Sequence, residues 1–582
     1  MAEQEIDIDN RELQMALQLI QFSNRSVFLT GKAGTGKSTF LRHIAATTKK
    51  KHVILAPTGI AAINAGGSTL HSFFKLPFHP LLPNDSRFSV RNIRKTLKYN
   101  SDKVKIIREL ELIIIDEISM VRADIIDFVD KVLRIYSRNM HQPFGGKQLL
   151  LVGDVFQLEP VVRDEDKQLL QPFYSSNFFF DAHVWREKQV VSIELNKVYR
   201  QSDPVFINIL DNIRAGQAMQ NDLSLLNSRY VPSSVDSGDE NTGRMAITLS
   251  TTRDVVDYIN TEHLDRIPGD PNKYIGCIEG DFPESMLPAP MELELKVGAQ
   301  IIFIKNDKDH RWVNGTIGLI IGLDEDGSRI YVRKEDGTEL DVEREHWSNV
   351  RYTFNEEEKR IEEEEIGSFV QFPVRLAWAI TVHKSQGMTF NNVKIDFGHG
   401  VFAAGQTYVA LSRCTSLEGI QLQQPVRRSD VFVRDEVVNF AQSFNDRRAV
   451  DSALKETAAD KQYFDSIKAF ERGDMNEALS QFFLAIHSRY DIEKPAAKRL
   501  LRRKLNIINT QREEITRLKK DAEKQREVLK NLAAEYSLMG KECEHEGMFQ
   551  AAVANYEKAL SLYPEATGVA KRIKKLKKNI GK

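Results

Sequence analysis

Four unbroken apolar runs punctuate the N-terminal part of the chain: 26–30 (Ser-Val-Phe-Leu-Thr), 53–56 (Val-Ile-Leu-Ala), 112–116 (Leu-Ile-Ile-Ile-Asp) and 149–153 (Leu-Leu-Leu-Val-Gly). Runs without polar alternation fit strands covered on both faces. Helical periodicity between them predicts an α/β fold with a parallel sheet. Between Ser72 and Arg108 the rhythm breaks, with Pro77, Pro80, Pro83 and many basic residues, and an insertion is expected. A second α/β region begins near Val191 and resumes near Phe372. Between them, over 297–366, short runs at 301–304, 318–321 and 329–332 alternate with Asp326-Gly327 and Asp336-Gly337 turns. That pattern predicts a small inserted β-barrel. The acidic run 356–365 reads as a solvated connector or hairpin tip.

After Asn445 the chain becomes rich in Ala, Glu and Lys, and an all-helical region is expected. Leu501, Ile508, Ile515, Ala522 and Leu529 recur every seven residues, and Leu518 and Leu532 supply part of a second seam. This predicts a long amphipathic helix. Arg512 and Gln525 interrupt the second seam, which favours packing within its own region over a dimeric coiled coil. Tyr536, Met539, Gly540, Cys543, Ala552, Tyr556, Ala559 and Pro564 follow tetratricopeptide spacing, with Cys543 where Tyr is frequent. Ala469, Gly473, Ala478, Phe482 and Ala485 form a weaker echo. A tetratricopeptide-like helical bundle that docks a protein partner is the expectation. The basic tail 571–578 either touches DNA or ends a solvated helix. The expected domains are 1–190 (with the insertion at 72–108), 191–445 (with the barrel at 297–366) and 446–582.

Composition narrows the class without naming a function. The 582 residues carry 81 Lys+Arg against 82 Asp+Glu, a net charge of −1. There is no global cationic field, so a nucleic-acid groove would have to be local. Cys277, Cys414 and Cys543 lie too far apart for a disulfide framework or a four-cysteine zinc site, and a reducing compartment is expected. The acidic start resembles no signal peptide, and no apolar run reaches membrane-span length. A soluble, cytoplasmic-type chain (nucleoid-associated if bacterial), with no membrane partner, is the expectation.

The chemistry lies in the motifs. Gly31, Lys32, Ala33, Gly34, Thr35, Gly36, Lys37 and Ser38 follow a strand and open a helix at Thr39, which is the phosphate-loop pattern in its required context. Glycines let backbone N–H groups converge on phosphate oxygens, aided by the helix dipole. Lys37 is expected to reach the β- and γ-phosphates of ATP, and Ser38 to ligate Mg²⁺. Asp116 and Glu117 end a neighbouring strand. Asp116 suits Mg²⁺ and Glu117 suits polarising the attacking water, so hydrolysis is expected rather than storage. Gln157, after the run at 149–153, could sense the γ-phosphate. Arg200 and Arg413 are candidate arginine fingers.

These motifs, taken in order, resemble the petite-integration-frequency (Pif) family of superfamily-one DNA helicases, in the 5′→3′ branch with RecD-like enzymes. The resemblance runs through most of 10–445. It includes 56–67 with 69–74, the 143–149 segment leading into Gly153-Asp154, 312–318, 377–389 and 405–413. It implies two RecA-like cores with ATP between them, unwinding DNA in replication, repair, recombination or telomere-type maintenance. It further implies that Thr58, His71, Ser72, Phe73, Thr381, His383, Lys384 and Ser385 contact single-stranded DNA at a forked duplex. Residues around 78–98 would part the duplex, and the barrel would clamp the strand. Tyr199 would stack on the base, and Gly387 would join the nucleotide-binding set. Gln14, Gln18 and Gln21 compete to read adenine, with Gln14 carried forward. One departure is Glu159 before Pro160, where the family usually has a Pro-Pro pair.

Overall fold

The computed structural model describes residues 7, 10–77, 79–231, 245–324, 326–355, 357–358, 360–398, 400–472, 474–489 and 495–580. It divides into two compact units, 1–485 and 486–582.

The larger unit is organised on a six-stranded parallel sheet. Its strands are β1 (Val27–Gly31), β2 (His52–Ala56), β3 (Ser68–Thr69), β4 (Leu112–Ile115), β5 (Gln148–Val152) and β6 (Val191–Leu195), in the order β3-β2-β4-β5-β1-β6. The four apolar runs are β1, β2, β4 and β5, each buried along its length apart from half-buried His52. β6 pairs in parallel with β1 from Val27↔Val191 to Gly31↔Leu195, so the first sheet extends past the expected boundary at 190. A second, four-stranded parallel sheet has the order Ala379–Thr381, Ile247–Ser250, Val393–Asp396, Ile420–Leu422.

The region expected to form a barrel contains a five-stranded antiparallel sheet. Its order is Glu339–Glu343, Arg329–Lys334, Ile317–Leu323, Gln300–Phe303, Val374–Leu376. Its core holds Phe303 stacked on Trp312 at 4.5 Å. Beside it, the strands Glu345–Asn355 and Arg360–Gln371 form a long hairpin, with Cys277–Gly280 added on one side. Most of the acidic run is therefore strand, and Glu357 and Glu358 lie exposed at the turn; Glu356 and Lys359 lie outside the described residues. The hairpin reaches the first sheet. The Tyr352 hydroxyl accepts from the Ile54 N–H (3.1 Å) and donates to the Ile54 carbonyl (3.2 Å), which satisfies β2 beyond the short β3.

The insertion at 72–108 is short helical pieces anchored on the helix Ala123–Tyr136. Phe88 meets Phe128 edge-on at 4.9 Å, and the Leu81 N–H donates to Asp124 (2.8 Å). Phe78 lies outside the described residues.

The expected boundary at 446 also moves. Asn445 pairs with β6 through Ser192 and Glu194, and Val450 and Ala453 of the helix Arg447–Glu471 bury against the first sheet's apolar face. Ala469, Ala478 and Ala485 are buried in this unit; Gly473 lies outside the described residues. The second unit is helical: Pro495–His545, Phe549–Leu562 and Thr567–Ile580. Gly540 packs on the Tyr556 ring, which a Cβ would meet at 2.7 Å. Ile573 and Leu576 of the basic tail face inward, so its lysines form the outer face of a helix. No helix among the described residues is long and apolar enough to cross a membrane.

Candidate active site

The phosphate loop spans the five residues between β1, which ends at Gly31, and the helix Lys37–Thr47. Gly34 (φ +79°) and Gly36 (φ +86°) adopt the left-handed conformation that this tight reversal needs. The Lys37 ammonium lies over the loop and donates to the carbonyls of Gly31 (2.7 Å) and Lys32 (2.9 Å). Burial pushes its pKa down to about 8, opposed by Asp154 and Glu117. The charge is thus pre-placed at low dielectric, where a phosphate would gain most from it. Thr35 ties the loop by donating to the Lys32 carbonyl (2.9 Å), and Lys32 pairs with Asp211 (2.5 Å).

Asp116 and Glu117 sit just past β4. Burial pushes both carboxyls up; Glu117 adds to the effect at Asp116, while Lys37 opposes it at both. Glu117 takes a left-handed backbone (φ 48°), held by its N–H donating to Asp116 (2.9 Å). Gln157 donates to Asp154 at 3.4 Å.

Arg200 and Arg413 arrive from farther along the chain. Tyr199 donates its N–H to the Gly34 carbonyl (2.8 Å), and a Cβ at Gly34 would collide with Arg200, so this segment sits on the phosphate loop. Arg200 and Gln201 both donate to the Ser412 carbonyl, at 3.2 and 3.1 Å. Arg413 is 2 % exposed. Burial lowers its pKa to about 9, with repulsion from Arg200 adding and attraction to Glu117 opposing. Two contacts seat the helix Gln406–Leu411 that precedes Arg413. The Ala33 N–H donates to the Tyr408 hydroxyl (2.9 Å), and Gly405 lies where a Cβ would be 2.6 Å from the Phe156 carbonyl.

Two residues beside the site, Arg214 and Asn10, carry no sequence signal, because long-range contacts place them. Arg214 is buried between Asp154 (3.1 Å) and Glu194 (2.9 Å), over the Phe156 ring. Asn10 caps the first helix through the Glu12 and Leu13 N–H groups and approaches the Tyr199 hydroxyl (3.4 Å). Gln14 follows Asn10 by one turn, exposed; Gln18 and Gln21 lie further along the helix. Glu159 pairs twice with Arg434 (2.9 and 3.0 Å), so the departure before Pro160 has its own partner. Gly387 occupies an open left-handed turn, and no contact described joins it to the phosphate loop.

A cavity of about 810 Å³ lies elsewhere in this unit. Its lining includes Ile60, Asn64, Arg253, Asn260, Thr381 and Lys384. Of the eight residues expected on DNA, the structure brings Thr381 and Lys384 to this cavity. Thr58 and Thr69 spend their hydroxyls on helix caps. Ser72 is exposed, and burial lowers the pKa of both His71 and His383. Phe73 and Ser385, both expected on DNA, have buried side chains in this structure. Phe73 is 3 % exposed, packed edge-on against Phe74 and Tyr352 with the Lys103 ammonium over its face (3.1 Å), so it has no free face for a base. Ser385 is fully buried and donates to the Val382 carbonyl (2.8 Å).

Fold and loop together define a P-loop protein of the parallel α/β class. A family model described as PIF1-like helicase matches residues 10–223. The ATP-dependent DNA helicase PIF1 of Mus musculus is 34% identical over 425 residues, covering 71% of this chain and 59% of that protein. The chain thus spans about three-fifths of the length of the curated relatives it matches. The solved complex of Bacteroides sp Pif1 with ADP-AlF4 is 40% identical, covers 75% of this chain and 97% of that one, and has a TM-score of 0.69. Bacteroides Pif1 bound to ssDNA, with the same coverage at 39% identity, has a TM-score of 0.54. The chain belongs to the PIF1-like helicase family.

Proposed function

We propose that this chain is an ATP-driven helicase that moves 5′→3′ on single-stranded DNA and separates duplex ahead of it. In this reading the two parallel sheets belong to two RecA-like cores, and the five-stranded sheet is the small inserted barrel. The observation that carries the proposal is the seating of the helix Gln406–Leu411. One end presses on the Gln157 loop, its middle holds the phosphate loop through Tyr408, and its far end delivers Arg413. Movement at the γ-phosphate would therefore pass directly into the second core.

Lys37 and the loop N–H groups would hold the phosphates, and Glu117 would orient the attacking water. Gln157 would register the γ-phosphate, and Arg200 with Arg413 would meet the charge that develops on it. Tyr199 would stack on the base, with Gln14 beside it. The Ser38 hydroxyl and the Asp116 carboxylate suit Mg²⁺. No cluster of three or more His, Cys, Asp or Glu forms a metal cage among the described residues, which fits an ion held by one or two protein oxygens and the phosphates. That ion would neutralise phosphate charge.

The cavity lined by Thr381, Lys384, Asn64 and Arg253 would pass the DNA strand, combining phosphate contacts with apolar support from Ile60. The tip of the insertion, where Val90 and Arg91 are exposed, would meet the fork. The higher similarity to the ADP-AlF4 complex than to the ssDNA complex supports a description of the enzyme before DNA engagement. The test is ATP hydrolysis with and without single-stranded DNA. Stimulation by DNA, with a Lys384→Ala/Arg253→Ala chain needing more than ten-fold more DNA for half-stimulation, supports the reading. Turnover indifferent to DNA contradicts it.

A further inference from the structure

The middle of the helix Pro495–His545 carries an apolar stripe that its own helical unit leaves uncovered. Ile515 is 52 % and Leu518 61 % exposed; Ala522, Leu529 and Leu532 are also exposed. Within the C-terminal unit the neighbouring helices begin to cover this helix at Ala533, which is buried, and at Gly540. Between Ile515 and Leu532 the seam is therefore not packed inside its own unit; the side chains of Leu501 and Ile508 lie outside those described. In heptad terms Ile515, Ala522 and Leu529 stand at a, and Leu518, Gln525 and Leu532 at d.

The flanking charges specify the occupant. Glu514 and Asp521 occupy successive g positions, and Lys519 and Arg526 occupy successive e positions. In a parallel, in-register pair each g residue faces the e residue of the next heptad on the other strand. Glu514 would then meet Lys519, and Asp521 would meet Arg526, each twice by symmetry. An antiparallel pair would set acid against acid and base against base. Ile515 at a with Leu518 and Leu532 at d is the two-stranded preference. Gln525 at d would face its own copy, and an amide can both donate and accept there, which fixes register. In the single chain Arg526 meets Glu565 (2.6 Å) and Asp521 lies 4.0 Å from Arg517, but these pairs are solvent-exposed and weakly held.

We propose that this chain forms a parallel, in-register homodimer through a two-stranded coiled coil over Glu514–Leu532. The assembly sets two copies of the C-terminal unit side by side, independently of nucleotide.

The test uses the full chain without ATP. Sedimentation equilibrium at micromolar concentration is expected to give twice the 66.5 kDa chain mass. In a Cys277→Ser background, Leu518→Cys and Gln525→Cys should each oxidise to a covalent dimer, whereas Lys520→Cys on the opposite face should not. Glu514→Lys should weaken dimerisation at least ten-fold, and Glu514→Lys/Lys519→Glu should restore it. A single-chain mass throughout, with no cross-link at 518 or 525, overturns the proposal; that result would also follow if the stripe were covered within one chain. Cross-linking of Leu518→Cys chains only to Leu532→Cys chains overturns the parallel orientation.

Discussion

Gly405→Ala should displace the helix that leads to Arg413 from the Phe156–Gln157 loop. Gly405 starts that helix with φ +80°, and its missing Cβ faces the Phe156 carbonyl at 2.6 Å and the Gln157 carbonyl closer still. An alanine there first costs about 1–2 kcal/mol for the left-handed backbone. The carbonyls must also retreat by roughly 0.5–1 Å to restore ordinary contact, in an interior packed too densely to absorb it locally. Arg413 and Tyr408 would move with the helix. A displacement of about 1 Å in a catalytic group can cost about 10²-fold in rate. DNA-stimulated ATP turnover is therefore expected to fall about 10²-fold, with fluorescent-nucleotide affinity changed only a few-fold because Lys37 and the phosphate loop stay in place. Gly398→Ala is the control: its φ is +55°, but open space surrounds the new Cβ. Turnover of Gly405→Ala within two-fold of the parent, or an equal loss from Gly398→Ala, would refute this reasoning.

Lys37→Ala should abolish hydrolysis while the fold melts near the parent temperature; retained DNA-stimulated turnover would reject the phosphate-loop assignment. Arg413→Ala should cut turnover by about 10³-fold or more, the scale of a lost arginine finger, with nucleotide binding largely intact. Equal loss of both in titration and steady-state kinetics would mean a structural role. Tyr352→Phe removes both hydrogen bonds to Ile54, and denaturant unfolding should register a loss of about 1–3 kcal/mol. No loss would mean that the hairpin does not hold the edge of β2 in solution.

The first sheet was legible because its strands are buried on both faces and read as unbroken apolar runs. The phosphate loop and the acidic pair were legible because their chemistry demands local spacing. The limits appear where long-range contacts decide. β6 joins the first sheet although Val191 falls where the second region was expected to begin, since pairing with β1 is not encoded locally. The helix Arg447–Glu471 looks like the rest of the C-terminal region in composition, yet Val450 and Ala453 complete the first core. Phe73 sits in a motif pattern consistent with DNA contact, but Tyr352, far along the chain, packs edge-on against its ring and Lys103 lies over its face, so the side chain is buried. Arg214 is a lone arginine in sequence, and only the fold places Asp154 and Glu194 around it.

Directional unwinding tests the central claim most directly. Two partial duplexes, one with a 5′ single-stranded tail and one with a 3′ tail, are incubated with the full chain, ATP and Mg²⁺, and strand release is followed. The account predicts release from the 5′-tailed duplex alone, lost in Lys37→Ala. Release from the 3′-tailed duplex alone, or ATP hydrolysis with neither duplex opened, would contradict it.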